Sequence, residues 1–356
     1  MSDVLKIDSH KGPYTVYFDE TALPHLNANV PVNTHFLIDQ RVAELYRETM
    51  PDVLNASSVL LVEATEASKS LDRFPTYVQH LVDHQIRRDH HLIAIGGGII
   101  QDITCFLAAM LLRGVTWRFY PTTLLSQADS CIGSKSSINC GDAKNILGTF
   151  TPPKEIYLAT SFLNTLEERD KRSGIGEMLK VHAIDGPDSF DEIADDYAQL
   201  FSNQKTMIRY VRQALEIKKG YIERDEFDQG PRNIFNYGHS FGHAIEAATK
   251  FTIPHGIAVT IGMDMANWIA WKIGIGSEHH YRRMHRILAS NYHGFGATPV
   301  PIDPFITAIS KDKKNVGSDV ALILPDFEAR LNRERYPNNE RFRQLCAEYL
   351  EQHRLQ

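Results

Sequence analysis

The sequence predicts an α/β nucleotide-binding domain followed by a mainly α-helical domain. Three observations predict it. Over the first 150 residues short apolar runs alternate with helical patterns; from about Leu163 long amphipathic stretches take over; and a proline pair, T-P-P-K-E at 151–155, lies near the change. Parallel strands need a long crossover and are buried on both faces, so the first rhythm reads as a parallel sheet covered by helices. The expected domains are residues 1–160 and 161–356. A chain of 356 residues is long enough for both, since domains usually run to about 100–200 residues.

The strands expected are T-H-F-L-I-D, S-S-V-L-L-V-E, H-L-I-A-I-G-G-G and W-R-F-Y-P-T-T, each a short run of apolar and β-branched residues. In the second half, S-F-D-E-I-A-D-D-Y-A-Q-L-F and K-T-M-I-R-Y-V-R-Q-A-L-E-I-K-K-G-Y-I carry the apolar spacing of amphipathic helices. The prolines at 152 and 153 suit a crossing between domains. The charged tail from Asp326, with R-L-N-R-E-R-Y-P-N-N-E-R, reads as a solvated surface helix and loop. No internal repeat or low-complexity tract interrupts the pattern.

Hydrophobic residues make up 43% of the chain and charged residues 23%, enough to bury substantial cores. The formal charge of -6 argues against nucleic acid as a partner, because such affinity comes mainly from a basic excess. Cys105, Cys131, Cys140 and Cys346 show no C-x-x-C spacing, which suits a reducing compartment better than a zinc ribbon or a disulfide framework. The opening M-S-D-V-L-K-I-D-S-H-K has no signal-peptide core, and no segment keeps about 18 apolar residues free of charge. A cytoplasmic protein without membrane contact is expected.

Several stretches carry chemistry. In N-Y-G-H-S-F-G-H-A-I-E, His239 and His243 stand four apart, which on a helix aims both imidazoles at one face, toward a metal or toward a core. Gly96, Gly97 and Gly98 follow an apolar strand and open a helix; they suit either a pyrophosphate at a helix N-terminus or a tight turn. Asp39 ends one strand, and Glu66 and Lys69 follow the next. Acidic residues there can bind ribose hydroxyls, or can simply cap loops. From 113 to 145, Arg113, Lys135, Lys144 and Asn145 are interleaved with small residues, as an anion site or as a polar surface loop. S-G-I-G-E-M-L-K sets Glu177 three before Lys180, a carboxylate ligand beside an ammonium or a plain helical ion pair. Lys218, Arg232 and Asn236 lie close in sequence to the histidines, and I-P-H-G-I-A-V adds His255. One carboxylate and two imidazoles make a catalytic zinc set with open positions, which leaves three histidines for two places.

The constellation resembles the 3-dehydroquinate synthase family and the wider sugar phosphate cyclase superfamily. The likeness spans roughly residues 35 to 325, through G-G-G-I-I-Q-D, P-T-T-L-L, A-D-S-C-I-G-S-K, K-N-I-L-G-T-F, T-L-E-E-R, G-E-M-L-K, R-N-I-F-N-Y-G-H-S-F-G-H-A-I-E, P-H-G and D-K-K-N in order. It implies a dehydroquinate synthase-like fold with the active site in the cleft between the domains. Metal, Zn2+ with Co2+ as the alternative, is implied at Glu177, His239 and His255, leaving His243 to face the substrate. Lys218 and Arg232 would take a substrate carboxylate, Asp129 and Lys180 would lie near the reacting hydroxyls, and phosphate would meet Lys135, Asn145, Asn236, His243 and Lys314. NAD would contact Asp39, Glu66, Lys69, the three glycines, Asp102, Thr122, Thr123, Lys144 and Thr165. Arg113 would reach a neighbouring subunit's site, so a homodimer is implied. The implied chemistry is hydride transfer to NAD, phosphate elimination, return of the hydride, ring opening and aldol closure.

The match departs from the family pattern in places. The usual G-G-K-T-G reads G-S-K-S-S at Gly133 to Ser137, G-D reads Gln101-Asp102, V-D-S-S reads Ala128 to Cys131, and I-K-Y-G reads Leu179 to His182. Retention of Lys218, Arg232 and Asn236 favours 3-deoxy-arabino-heptulosonate 7-phosphate, or its amino analogue, over uncarboxylated substrates of valiolone- or deoxy-inosose-type cyclases. Polyol and glycerol phosphate dehydrogenases share the two-domain plan and release reduced cofactor. A non-catalytic sensor is the third reading.

Overall fold

A computed structural model describes residues 4–141, 143–312, 315 and 317–354. The chain forms two compact units, one of Met1–Leu166 with Lys218–Phe227 and one of Glu167–Ile217 with Asp228–Gln356. The first unit runs β1 (Val4–Ile7), β2 (Tyr14–Phe18), α1 (Ala22–Ala28), β3 (Thr34–Asp39), α2 (Gln40–Leu45), α3 (Pro51–Leu54) and β4 (Val59–Val62). It continues with α4 (Phe74–Asp83), β5 (His91–Gly96), α5 (Gly98–Met110), β6 (Thr116–Pro121), β7 (Lys135–Cys140), β8 (Ala143–Phe150) and β9 (Glu155–Leu158).

Seven of these strands form one sheet in the order β1-β2-β9-β6-β5-β3-β4, parallel throughout except that β1 runs antiparallel to β2. The four strands expected from sequence are β3 to β6, and the apolar side chains of β3 and β5 are buried because helices cover the sheet. Phe36, Ile38, Ile93, Ile95, Tyr120 and Phe162 share one core cluster. The order reverses between β3 and β5: β4 lies on one side, β6 and β9 on the other. A reversal of this kind opens a crevice at the carboxyl ends of the strands, the usual ligand position in such sheets.

Two expectations for this half need correction. The polar run ending at 145 is not a surface loop there: from Lys135 it enters the antiparallel hairpin β7–β8, with Ile138 opposite Leu147. T-P-P-K-E leads into β9, a strand inside the sheet, whereas the compact units divide between Leu166 and Glu167.

The second unit is built from α6 (Glu168–Asp185), α7 (Pro187–Asp195), most of α8 (Gln204–Ile222), α9 (His239–Ala248), α10 (His255–Lys272), α11 (Glu278–Asn291), α12 (Ile302–Ser310), β10 (Asp319–Pro325), β11 (Leu331–Pro337) and α13 (Glu340–Glu348). Helix α10 is buried at every residue from Gly256 to Ala270, with α6, α9 and α11 packed around it. The approach is backbone to backbone. A Cβ on Gly256 would stand 1.9 Å from the Ser173 carbonyl oxygen, one on Gly176 2.3 Å from that of Gly256, and one on Gly262 2.1 Å from that of Gly238.

The charged tail is also corrected. R-L-N-R-E-R-Y-P is not helical: Leu331–Pro337 is β11, paired antiparallel with the apolar β10 from Asp319↔Pro337 to Pro325↔Leu331. A strand backed by one neighbour can keep its side chains in water, and its charges protect the open edge. Helix α13 is not merely solvated, since Phe342 and Cys346 are buried. Among the described residues no helix is long and apolar enough to cross a membrane.

Candidate active site

The histidines converge in the second unit. His239 opens α9 and His255 opens α10, while Glu177 lies on α6. The close glycine contacts explain how: Gly176 precedes Glu177, Gly256 follows His255 and Gly238 precedes His239, so the helices approach where these three candidate side chains project. One ring nitrogen from each of His239, His243 and His255 lies within 4.8 Å of the others. Glu177 Oε1 stands 3.6 Å from His239 Nε2 and 3.4 Å from His255 Nε2. That oxygen is buried with no hydrogen-bond partner, an arrangement costly to maintain without a cation. Its other oxygen accepts from Lys180 Nζ.

The outer contacts orient the rings. His239 Nδ1 lies 3.2 Å from the Tyr237 carbonyl, and His255 Nδ1 lies 3.1 Å from Glu246 Oε2. With a proton on each Nδ1, each ring would offer its Nε2 lone pair to a cation lying against Glu177 Oε1. His243 is the exposed member of the three. Burial opposes ionisation of Glu177, yet the Lys180 ammonium and His255 hold its carboxyl below the usual range. Burial likewise opposes charge on His255, but Glu177 and Glu246 outweigh it and push that pKa up to about 10. A buried carboxylate with facing imidazoles is the hard-and-borderline donor set that suits zinc or cobalt, so these residues fit a divalent ion.

In the first unit the residues expected at a dinucleotide gather at strand ends. Asp39 ends β3 and caps α2 by accepting from the Arg41 N–H at 2.9 Å; Gly96 ends β5; Thr122 follows β6 and donates its N–H to the Gly96 carbonyl at 2.9 Å. A Cβ on Gly96 would lie 2.5 Å from Ile100 Cγ1 and one on Gly97 2.8 Å from Thr123 Cγ2, whereas one on Gly98 would meet nothing within 4 Å. Two glycines are thus required by packing, and the third keeps the α5 N-terminus open to an anion. Burial raises the pKa of Asp39 despite its cap bond.

Lys69, Asp102 and Asn145 form one polar knot. Lys69 Nζ donates to Asp102 Oδ2 and to Asn145 Oδ1, both at 2.9 Å, and Asp102 Oδ1 accepts from the Ser137 N–H at 3.1 Å. Burial raises the Asp102 pKa, although Lys69 opposes it. Glu66 stands 3.9 Å from Lys69 and accepts from Asn139 Nδ2 at 2.9 Å. The G-S-K-S-S departure is absorbed here, because Ser137 Oγ donates to Asn145 Oδ1 at 2.9 Å. Elsewhere in the unit, Lys218 Nζ reaches Asp129 twice, at 2.7 Å to Oδ1 and 2.6 Å to the carbonyl oxygen.

Thr165 joins Tyr46, with 3.0 Å between their hydroxyl oxygens. Lys135, Lys144 and Arg113 are exposed, Arg113 with a left-handed φ of 67°. In the second unit Lys180 and Arg232 are buried, and Asn236 Nδ2 donates to the Asn233 carbonyl at 2.9 Å. Lys314 lies outside the described residues. Sequence reasoning missed Glu246 as the partner of His255. Its only local signal is its place three residues after His243, which any helical surface acid could occupy.

Comparison with known proteins places this geometry. The structure of a 2-deoxy-scyllo-inosose synthase complexed with carbaglucose-6-phosphate, NAD+ and Co2+ superposes with a TM-score of 0.84 at 21% identity, covering 98% of this chain and 99% of the other. A 2-epi-5-epi-valiolone synthase from Streptomyces hygroscopicus with NAD+ and Zn2+ bound gives 0.82 at 24% identity, covering 96% and 97%. These likenesses show the fold, which the chain shares with these two synthases. The 3-dehydroquinate synthase N-terminal family model matches residues 59–173 and the C-terminal model residues 174–315. A 3-dehydroquinate synthase from a Thermoanaerobacter species is 32% identical over 91% of this chain and 94% of its own, and one from Dictyoglomus turgidum 34% identical over 90% and 91%. The chain belongs to the 3-dehydroquinate synthase family.

Proposed function

We propose that this protein is a 3-dehydroquinate synthase, converting 3-deoxy-arabino-heptulosonate 7-phosphate to 3-dehydroquinate and inorganic phosphate. The observation that carries the reading is the orphaned oxygen of buried Glu177 between His239 Nε2 and His255 Nε2. It supports a divalent ion, Zn2+ or Co2+, held by those three side chains, with His243 left to the substrate. NAD is assigned to the strand-end residues Asp39, Gly96 to Gly98, Thr122 and Thr123, with Glu66, Lys69, Asp102, Lys144 and Thr165. When bound, the ion would polarise the hydroxyl to be oxidised and NAD would accept and return one hydride, so the net reaction is redox-neutral.

The chain's own groups do the rest. Lys218 and Arg232, both buried, supply positive charge for the carboxylate of a heptulosonate. Asp129 and Lys180 are assigned to the reacting hydroxyls; each is engaged by an opposite charge, Lys218 and Glu177 respectively. Lys135, Asn145, Asn236, His243 and Lys314 take the phosphate. His243, exposed and beside the donor cluster, also holds a proton where the leaving group departs. Arg113 serves the site of a second copy, which makes the working unit a homodimer. Exposed Met110 and Leu112 beside it supply apolar area for that contact.

The test is phosphate release across a panel of C6 and C7 sugar phosphates with NAD and Zn2+, with products identified by mass spectrometry. One phosphate per product and no lasting absorbance at 340 nm are expected with the heptulosonate. Stoichiometric NADH without phosphate would instead mark a polyol or glycerol phosphate dehydrogenase. Turnover of an uncarboxylated sugar phosphate alone would mark a valiolone- or inosose-type cyclase, and binding without turnover a sensor. Arg232→Ala should raise KM for the carboxylated substrate by roughly tenfold to a hundredfold, because a charge-assisted bond is lost. Mixing Arg113→Ala with Lys180→Ala protein should restore part of the activity each lacks, if Arg113 acts across a dimer.

A further inference from the structure

Gln101 is almost fully buried in the first turns of α5, and its amide does not face the cofactor knot that neighbouring Asp102 joins. It grips one residue instead. Gln101 Nε2 donates to the Ser130 carbonyl at 2.6 Å, while Ser130 Oγ donates to Gln101 Oε1 at 2.7 Å. The two bonds fix the orientation of the amide, since a carbonyl can only accept and the hydroxyl is then left as donor. Both ends of the amide are spent on a residue 29 positions away.

Ser130 ends a π-helical turn, Ser126–Ser130, closed by the Cys131 N–H on the Ser126 carbonyl at 2.9 Å. The regular helix stops there, and carbonyls at such an end need partners from outside. Gln101 supplies one for Ser130. The residue just before Ser130 is Asp129, whose carboxylate and carbonyl both engage Lys218 Nζ. A continuous chain of short polar contacts therefore runs from Gln101 through Ser130 and Asp129 to Lys218. A π turn is a wider and less favourable helix form, met mostly as single turns and frequently at functional sites. An external clamp on its last residue restrains the segment that carries Asp129.

We infer that Gln101 is a positioning residue for the reaction: through its paired hydrogen bonds to Ser130 it sets where Asp129, and with it Lys218, meets the substrate. The inference rests on the cyclase reading above. A misplacement of the order of an ångström at a reacting group costs up to about a hundredfold in rate, so loss of the clamp is felt in kcat before it is felt in folding.

The experiment uses the full chain with NAD, Zn2+ and the heptulosonate phosphate, comparing wild type with Gln101→Leu, Gln101→Glu and Ser130→Ala. Gln101→Leu keeps the volume and removes both bonds; kcat should fall roughly tenfold with the dissociation constant for NAD within twofold of wild type. Ser130→Ala removes only the hydroxyl bond and should lose less than Gln101→Leu. Gln101→Glu adds a signature that a merely structural role would not give. An ionised carboxylate repels the Ser130 carbonyl, whereas a protonated one restores the donor, so its kcat relative to wild type should rise as pH is lowered. Gln101→Leu should show no such recovery. Should both Gln101 variants keep kcat within twofold of an active wild type, or lose kcat and NAD affinity together without the pH-dependent recovery, the inference is overturned and the cyclase reading stands. If wild type releases no phosphate from any sugar phosphate in the panel, the cyclase reading falls and takes this one with it.

Discussion

At the scale of single residues, ligation depends on what stands behind the ligand. His255 is turned by Glu246, and Glu246 is held mostly from solvent, so its charge acts on the imidazole with little screening. Replacement by Gln keeps a hydrogen-bond acceptor but removes the charge that makes the ring a stronger donor to a cation. Glu246→Gln should weaken Zn2+ or Co2+ affinity by about tenfold and Glu246→Ala by up to about a hundredfold, read by competitive chelator titration without any assay of turnover. Affinity unchanged in both would mean the ring is oriented by packing alone. The His239–His243 pair was legible in the sequence through its helical spacing, and the family resemblance singled out Glu177, His239 and His255 as the candidate ligands, whose side chains the structure brings together. Glu246 was not, because its role exists only once the start of α10 is folded back against the end of α9, a contact nine residues long that no local spacing encodes.

At the scale of elements, the site depends on how closely α6 and α10 lie. Ordinary helix pairs stand 8–10 Å apart, but the carbonyl contacts at Gly176 and Gly256 leave no room for a methyl group. Gly256→Ala would gain about 1 kcal/mol of helix propensity. It would also place a Cβ 1.9 Å from the Ser173 carbonyl oxygen, a backbone atom that cannot swing aside. The helices must part, at a cost of about 1–3 kcal/mol or more, so the net effect is destabilising. The same separation carries Glu177 away from His255. Gly256→Ala is therefore expected to lower the denaturant midpoint and, by more than its stability loss accounts for, the metal affinity. Equal affinity in a variant of lower midpoint would uncouple the close packing from the site.

The strands divide along the same physical line. β3 and β5 were legible because the sheet interior demands near-continuous apolar runs, and β4 and β6 because short apolar and aromatic runs mark them. β11 was not, since a strand backed by a single neighbour tolerates R-L-N-R-E-R, and its β10 partner rather than its own pattern makes it a strand. The hairpin β7–β8 was hidden by polar residues that bond to one another, as Ser137, Asn139 and Asn145 do.

Across the whole molecule the most general consequence concerns pH. His35 in the first unit and His182 and His280 in the second are buried, and burial pushes each imidazole pKa down to about 4. His35 has neighbours that oppose charge, since its Nε2 meets His90 Nδ1 at 2.9 Å while its Nδ1 meets Ser58 Oγ at 2.8 Å. His182 is tied to Ser189 Oγ at 2.9 Å and lies edge-on to Tyr210. In the unfolded chain all three titrate near the ordinary value of about 6.5. A lowered folded-state pKa means the folded form refuses a proton that the unfolded form accepts. The stability these groups contribute is thus complete above about pH 6.5 and is lost as pH falls from there to about 4. Each can steepen the loss by at most about 1.4 kcal/mol per pH unit. Net charge acts in the same direction over most of this range, because the chain passes through neutrality near pH 6.2 and grows positive below it, so self-repulsion rises. The share of the buried imidazoles is therefore read from a substitution rather than from the decline alone. Urea unfolding of the metal-free protein over that range should show the decline, and His182→Gln, which can keep a bond to Ser189, should flatten it by up to one proton's worth. A slope identical to wild type would mean that His182 takes up its proton in the folded state as readily as in the unfolded one.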